Sequence, residues 1–187
     1  MRSDLVRRAQ SGDSEAFETL IRAAYDRLFA VADRILRDRY AAEDAVQDAV
    51  VRCWRDIRGL RDPDRFEAWL YRLVVNASRD HTRRQLRQRR ALPDGGVLPP
   101  DLRATGDDYA RLVEHDALEG AFLTLSADHR IVLLLAHYAG YSAPEIAAIL
   151  SVPTGTVYSR LHYAMRAMRA ALAPTVGVPA TTTGALR

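Results

Sequence analysis

SAPEIAAILSVPTGTVYSRLHYAMRAMRAA, residues 142–171, decides the fold, because it carries the punctuation of two short helices joined by a tight turn. Ser142 is placed to cap the first helix, and Glu145, three residues on, is placed to reach back to the cap's own N–H. Ile146, Ala147, Ile149 and Leu150 then supply one apolar face, and Ser151-Val152-Pro153 breaks the run. In the second helix Val157, Leu161, Ala164, Met165 and Met168 recur at three- and four-residue steps. Thr154, Thr156, Tyr158, Ser159, Arg160, His162 and Tyr163 fall largely outside that stripe. They form an outer face of hydroxyls, aromatics and arginine without a carboxylate, suited to base edges and phosphates. The pattern is that of a helix-turn-helix. A helical hairpin inside a bundle competes with it, but a merely solvated face mixes charges of both signs.

Working back from this stretch, the chain of 187 residues accommodates two small domains. All 27 of its basic residues are arginine, and the net charge is +3, so the distribution of charge says more than its total. Cys53 is the sole cysteine, which excludes an intrachain disulfide and a cysteine-rich zinc site. The five histidines show no ligand spacing, and the expectation is no metal and no cofactor. The amino terminus is polar and no apolar run approaches membrane-spanning length, which predicts a cytoplasmic protein.

A first long helix is expected after a cap at Asp13 or Ser14, with Phe17, Leu20, Ala24, Leu28, Val31 and Ile35 on its core stripe. A second, from about Ala41 to Arg58, buries Ala42, Val46, Ala49, Val50, Cys53 and Ile57. Asp44, Gln47, Asp48, Val51, Arg52 and Arg55 share its other face, acidic first and basic last. The helix dipole accounts for part of that order. A third helix starts at the cap Asp62 with Pro63 in its first position and packs Phe66, Trp69, Leu70, Leu73, Val74 and Ala77 inward. It leads into RDHTRRQLRQRR, residues 79–90, with six arginines against Asp80 alone, a density that calls for a polyanion.

Pro93, Gly95, Gly96, Pro99, Pro100 and Gly106 mark residues 92–107 as a flexible linker, and from Leu92 to Glu119 seven carboxylates face Arg103 and Arg111. That acidic stretch is expected to attract the basic tract and mask it in the free protein. A helix around Tyr109 to Leu123 and one from Ser126 to near Gly140 precede the helix-turn-helix, and a disordered tail follows Pro174. The expected fold is therefore all-α: an amino-terminal domain over residues 1–91, the acidic linker, and a carboxy-terminal helix-turn-helix domain over 108–173.

Three segments in this order, AAEDAVQDAVVRCWRDI, DRFEAWLYRLVVNASRDHTRR and LTLSADHRIVLLLAHYAGYSAPEIAAILSVPTGTVYSRLHYAMRAM, resemble an extracytoplasmic-function (ECF) sigma factor, the smallest kind of sigma subunit of bacterial RNA polymerase. The resemblance covers nearly the whole chain. It implies that Asp44, Gln47, Asp48, Val51, Arg52 and Arg55 dock on the coiled coil of the polymerase β′ subunit. Gly59 to Arg65, with Arg61 and Arg65, match the loop that captures an unstacked base of the −10 promoter element. Tyr71, Arg72, Val75, Asn76, Arg79, Arg83 and Arg84 lie on the helix beside that loop. Thr154, Thr156, Tyr158, Ser159, Arg160, His162 and Tyr163 belong to the helix that enters the major groove of the −35 element. Implied partners are the β′ and β subunits of core polymerase, promoter DNA and a separate anti-sigma protein, with the free chain a monomer that catalyses nothing itself. Ser151 stands where the family usually has glycine, and Tyr158 and Tyr163 stand at positions often basic. The alternative is an autonomous helix-turn-helix regulator of LuxR-like type, which has no need of the charged stripe on the second helix. An enzyme acting on nucleic acid has the weakest case, because no carboxylate cluster, phosphate loop or nucleophile-base pairing is present.

Overall fold

The computed structural model of the chain describes residues 2–91 and 118–173. The expected acidic linker, its attraction to the basic tract, and the tail beyond Pro174 lie outside these residues, as does the helix expected around Tyr109 up to residue 117.

Helix α1 (Arg2–Gln10) runs through a segment that the sequence presents as merely polar. Only Val6 and Ala9 are buried on it, too few for a visible period. Its place is fixed by polar ties: Gln10 Nε2 donates to the carbonyls of Ile57 at 3.0 Å and Leu60 at 2.7 Å, and Arg2 pairs with Glu67. Helix α2 (Ser14–Leu36) begins where Asp13 Oδ1 accepts from Ala16 N–H at 3.0 Å. That bond, with help from Arg8, holds the Asp13 carboxyl below its ordinary pKa. Arg37 ends the helix in the left-handed region at φ 59°.

Asp38 caps α3 (Arg39–Asp56) by accepting from Ala41 N–H at 3.0 Å. The buried face of α3 is Ala41, Ala42, Ala45, Val46, Ala49 and Cys53, small side chains that let α2 and α4 approach closely. Short 3₁₀ turns at Ile57–Gly59 and Pro63–Arg65 lead into α4 (Phe66–Ala91). The helix thus starts one turn later than its Asp62 cap suggests, and it carries the arginine tract to Ala91 as continuous helix. Ser78, 0% exposed, donates to the Val74 carbonyl at 2.9 Å and is thereby satisfied inside the core.

In the second unit α5 (residues 118–123) precedes α6 (Ala127–Leu133), which widens into a π turn over Leu134–Tyr138. There the Ala139 N–H reaches back to the Leu134 carbonyl at 2.9 Å. Gly140, at φ 77°, turns the chain into α7 (Ala143–Leu150), and α8 (Thr154–Leu172) follows. Glu145 closes the expected capping box, accepting from the Ser142 N–H at 2.8 Å and its hydroxyl at 2.6 Å. Ser151 takes up the turn in the left-handed region, φ 55° and ψ 47°.

The two units share one apolar core. Ile131, Val132, Leu135, Ile146 and Leu150 of the second unit join Leu28, Val31, Ile35, Leu70 and Val74 of the first in a single buried cluster. α6 packs on α2, and α7 on α4. Each of these large aliphatic side chains contributes about 1.5–3 kcal/mol on leaving water. A smaller cluster of Leu125, Leu133 and Ala164 joins α5, α6 and α8.

Candidate nucleic-acid interface

The inner stripe of α8 is as its spacing predicts: Val157 and Ala164 are fully buried, and Leu161, Met165 and Met168 pack against the core. This fixes the outer face. Tyr158 and Tyr163 stand 60% and 55% exposed, Ser159 and His162 are exposed beside them, and Thr154 and Thr156 are partly covered at the first turn. His162 meets the Tyr163 ring edge-on with centroids 5.8 Å apart, while His129 of α6 stacks on it at 6.4 Å. His129 is a neighbour that spacing on α8 alone could not reveal. Arg160 differs from the rest of the face, because its Nη2 donates to Asp128 Oδ2 at 2.6 Å and its side chain is 23% exposed.

Along α4 the basic residues divide in the same way. Arg83 is exposed; Arg84 is also exposed and lies 3.6 Å from Asp48. Asn76 is exposed, Arg72 is half-buried, and Arg61 and Arg65 stand out from the loop before the helix, Arg65 lying 3.4 Å from Asp62. Arg79 donates to Asp128 Oδ1 at 3.0 Å, across the boundary between the units. Tyr71 departs from its expected place. It is 3% exposed and meets Tyr141 edge-on at 5.6 Å between ring centroids. Burial raises the pKa of both phenols. In this arrangement Tyr71 offers no face to a base, because the turn before α7 covers the stretch of α4 on which it sits.

The charged face of α3 also splits. Asp44, Gln47, Val51 and Arg55 point outward, Val51 being 68% exposed, and Arg55 holds Asp56 through two bonds of 2.8 and 3.0 Å. Asp48 and Arg52 turn toward α4, Asp48 lying 3.6 Å from both His81 Nε2 and Arg84 Nη2, and Arg52 3.6 Å from Asp80. Trp54, 44% exposed and edge-on to Phe17 at 4.8 Å, joins Val51 in an apolar spot on this face. Its position three residues after Val51 was the available signal. Cys53, on the opposite side, is fully buried, and desolvation pushes its thiol up to about 12.

Between α2, α5, α6 and α8 lies a groove of about 860 Å³. Leu133, Leu134, Phe122 and Met168 line it, with Arg34 and Arg37 also on its wall. Arg34 sits 5.3 Å from the ring centre of Tyr138, on the widened turn of α6. Among the described residues no group of three or more His, Cys, Asp or Glu side chains is placed to hold a metal, and no helix is long and apolar enough to cross a membrane.

Comparison with known proteins addresses both halves of the chain. Residues 20–88 match Sigma-70 region 2 and residues 115–168 match Sigma-70 region 4. The ECF RNA polymerase sigma factor SigL of Mycobacterium tuberculosis is 35% identical over 167 residues, 87% of this chain and 94% of that protein. The RNA polymerase sigma-H factor of Pseudomonas aeruginosa is 30% identical over 182 residues, 91% of this chain and 93% of its own. Among solved structures, CnrH in complex with the cytosolic domain of CnrY aligns with a TM-score of 0.67 at 27% identity, over 91% of this chain and 96% of that one. The sigma factor RpoE in complex with the anti-sigma factor NepR from Bartonella quintana aligns with a TM-score of 0.71 at 25% identity, over 83% and 96%. These matches run through both units and give no support to a LuxR-like regulator. With region 2 ahead of region 4 and relatives matched over nearly their whole length, the chain belongs to the ECF sigma factors of bacterial RNA polymerase.

Proposed function

We propose that the chain directs core RNA polymerase to promoters through three surfaces, on α3, on α4 with the loop before it, and on α8, of which none catalyses a reaction. The observation that carries this reading is the pairing of region 2 and region 4 matches with an exposed, carboxylate-free outer face on α8. Asp44, Gln47, Val51 and Arg55, joined by Trp54, form the face for the polymerase β′ coiled coil, with Asp48 and Arg52 at its margin toward α4. Arg61, Arg65, Arg72, Asn76, Arg79, Arg83 and Arg84 surround the melted −10 strand, where unstacked bases need pockets and their phosphates need cations. The outer residues of α8 enter the −35 major groove.

The domain limits that fit this division are residues 1–91 and 108–173, with the intervening segment as the tether that lets both elements be reached at once. The groove beside α6, lined by apolar side chains and arginines with Asp33 and Glu119 among them, fits an amphipathic segment of an anti-sigma protein; one of the solved relatives, RpoE, is bound to the anti-sigma factor NepR. Run-off transcription with purified core polymerase on genomic fragments tests the reading. Discrete transcripts whose start sites share two spaced sequence elements are expected, and transcription no different from that of core alone overturns it.

A further inference from the structure

Asp128 holds two arginines that the proposed function assigns to two different promoter elements. Its Oδ1 accepts from Arg79 of α4 at 3.0 Å and its Oδ2 from Arg160 of α8 at 2.6 Å. Both guanidinium side chains are little exposed, at 21% and 23%, although neighbours on their own helices, Arg83 and Ser159, stand in solvent. The bridge has structural support around it. Arg130, two residues on, crosses the same boundary, its Nη2 donating to the Ile35 carbonyl at the end of α2 at 2.9 Å while its Nη1 holds the Leu125 carbonyl at 3.0 Å. Tyr71 of α4 also meets Tyr141 across the boundary. Arg160 Nη1 is buried without a hydrogen-bond partner among the described residues, so the carboxylate satisfies that guanidinium only in part.

We propose that Asp128 is an internal stand-in for DNA phosphate: in the free subunit its one carboxylate occupies the −10-side Arg79 and the −35-side Arg160 together, locking the two units in a closed form that cannot engage a promoter. This rests on the assignment of α4 and α8 as the DNA-reading helices. A carboxylate is the chemical relative of a phosphate oxygen pair for a guanidinium. An arginine bound to it has to be released before it contacts DNA, and the apparent affinity for DNA falls by the fraction of molecules in which it is released. The bridge is also bistable in the sense a switch requires. Its Arg160 arm lies within the second unit and persists when the units separate, whereas its Arg79 arm exists only when they are together. Opening therefore frees Arg79 first and leaves Arg160 positioned by Asp128 until DNA competes for it.

The test uses the full chain carrying Arg7→Cys and Ala148→Cys, both exposed positions on α1 and α7, labelled for energy transfer; the buried Cys53 thiol does not compete for dye. Asp128→Asn is expected to lower transfer and to raise affinity for a short random-sequence duplex by about three- to tenfold. Asp128→Glu, which keeps the carboxylate, is expected to remain closed. Because Asp128→Asn also removes a contact within the second unit, Arg79→Gln serves as the independent variant: it cuts only the arm between units, and lowered transfer with unchanged helicity is expected. If both variants transfer as the wild type does, the latch is overturned; if Asp128→Asn fails to fold, Arg79→Gln alone decides. Adding core polymerase to the labelled wild type separates the two readings, since absence of any change there counts against the polymerase assignment and leaves the latch standing on the variants.

Discussion

Two single residues hold conformations that their side chains resist. Ser151 and Arg37 lie at φ 55° and 59°, in the left-handed region that costs an ordinary L-residue about 1–2 kcal/mol. Both sit at helix ends, where the turn leaves no other path: the Ser151 N–H returns to the Ala147 carbonyl and that of Arg37 to Asp33. Ser151→Gly is expected to raise unfolding stability by about 0.5–1 kcal/mol, since glycine removes the Cβ clash but adds entropy to the unfolded chain; denaturant titration of the full chain measures it. The break in the apolar run marked Ser151-Val152-Pro153 as the turn, and the resemblance singled out Ser151, which stands where the family usually has glycine. What no residue-level reading could supply is the partner of Arg160, since Asp128 lies 32 residues away and its neighbours in sequence mark it only as the second residue of a capped helix. Arg160→Ala is expected to weaken promoter binding by the holoenzyme by about 1–3 kcal/mol if it reads a base, and His162→Ala to weaken it as well. Binding to a panel of −35 variants identifies the base, and equal binding of both variants and wild type across the panel would show that α8 is not the reader.

Among the elements, the long amphipathic helices and the α7–α8 turn were legible because period and caps agree in them, whereas α1 was not, because two buried residues in nine carry no period. The face of α3 was legible as a stripe but not in its depth: only packing reveals that Asp48 and Arg52 lean on α4 while Val51 and Trp54 stand clear. That distinction selects the substitutions that test docking. Asp44→Arg with Val51→Asp is expected to lower core polymerase binding at least about tenfold, of the order seen when central interface contacts are lost, with helicity unchanged. Asp48→Arg would also confront His81 and Arg84 and so mix folding with docking. Pull-down on core polymerase, read beside circular dichroism, separates these effects. At α7, hydrogen bonds from Ser142 hold the Glu145 carboxyl below its ordinary value of 4.5. A lowered pKa in the fold means that its stabilisation is present above 4.5 and is lost as pH falls through the lowered value. The stability gap between wild type and Glu145→Gln should therefore be constant near neutrality and close as the solution is acidified below 4.5, and a gap independent of pH in that range would remove Glu145 from the cap.

At the scale of the whole molecule, the sequence led to two helical units in the right order but placed a separate core in each. The structure joins them, since the apolar faces of α6 and α7 are completed by α2 and α4, a pairing across more than fifty residues that no local period encodes. Tyr71 shows the consequence: the resemblance implies an aromatic beside a melted base, and in this closed arrangement it is packed against Tyr141. Burial of Cys53, with its thiol raised to about 12, gives a simple check on the integrity of that core, because a thiol reagent should leave the native chain unmodified at neutral pH and titrate one cysteine after denaturation. In the proposed division of labour, separate helices of one chain serve polymerase docking and promoter reading. It is tested most directly by run-off transcription with core polymerase on one responsive promoter, comparing wild type, Asp44→Arg with Val51→Asp, and Arg160→Ala. A discrete transcript is expected from wild type, none from the α3 variant whatever the −35 sequence, and a weakened one from Arg160→Ala whose loss depends on the −35 bases; equal transcript from all three proteins would overturn the division.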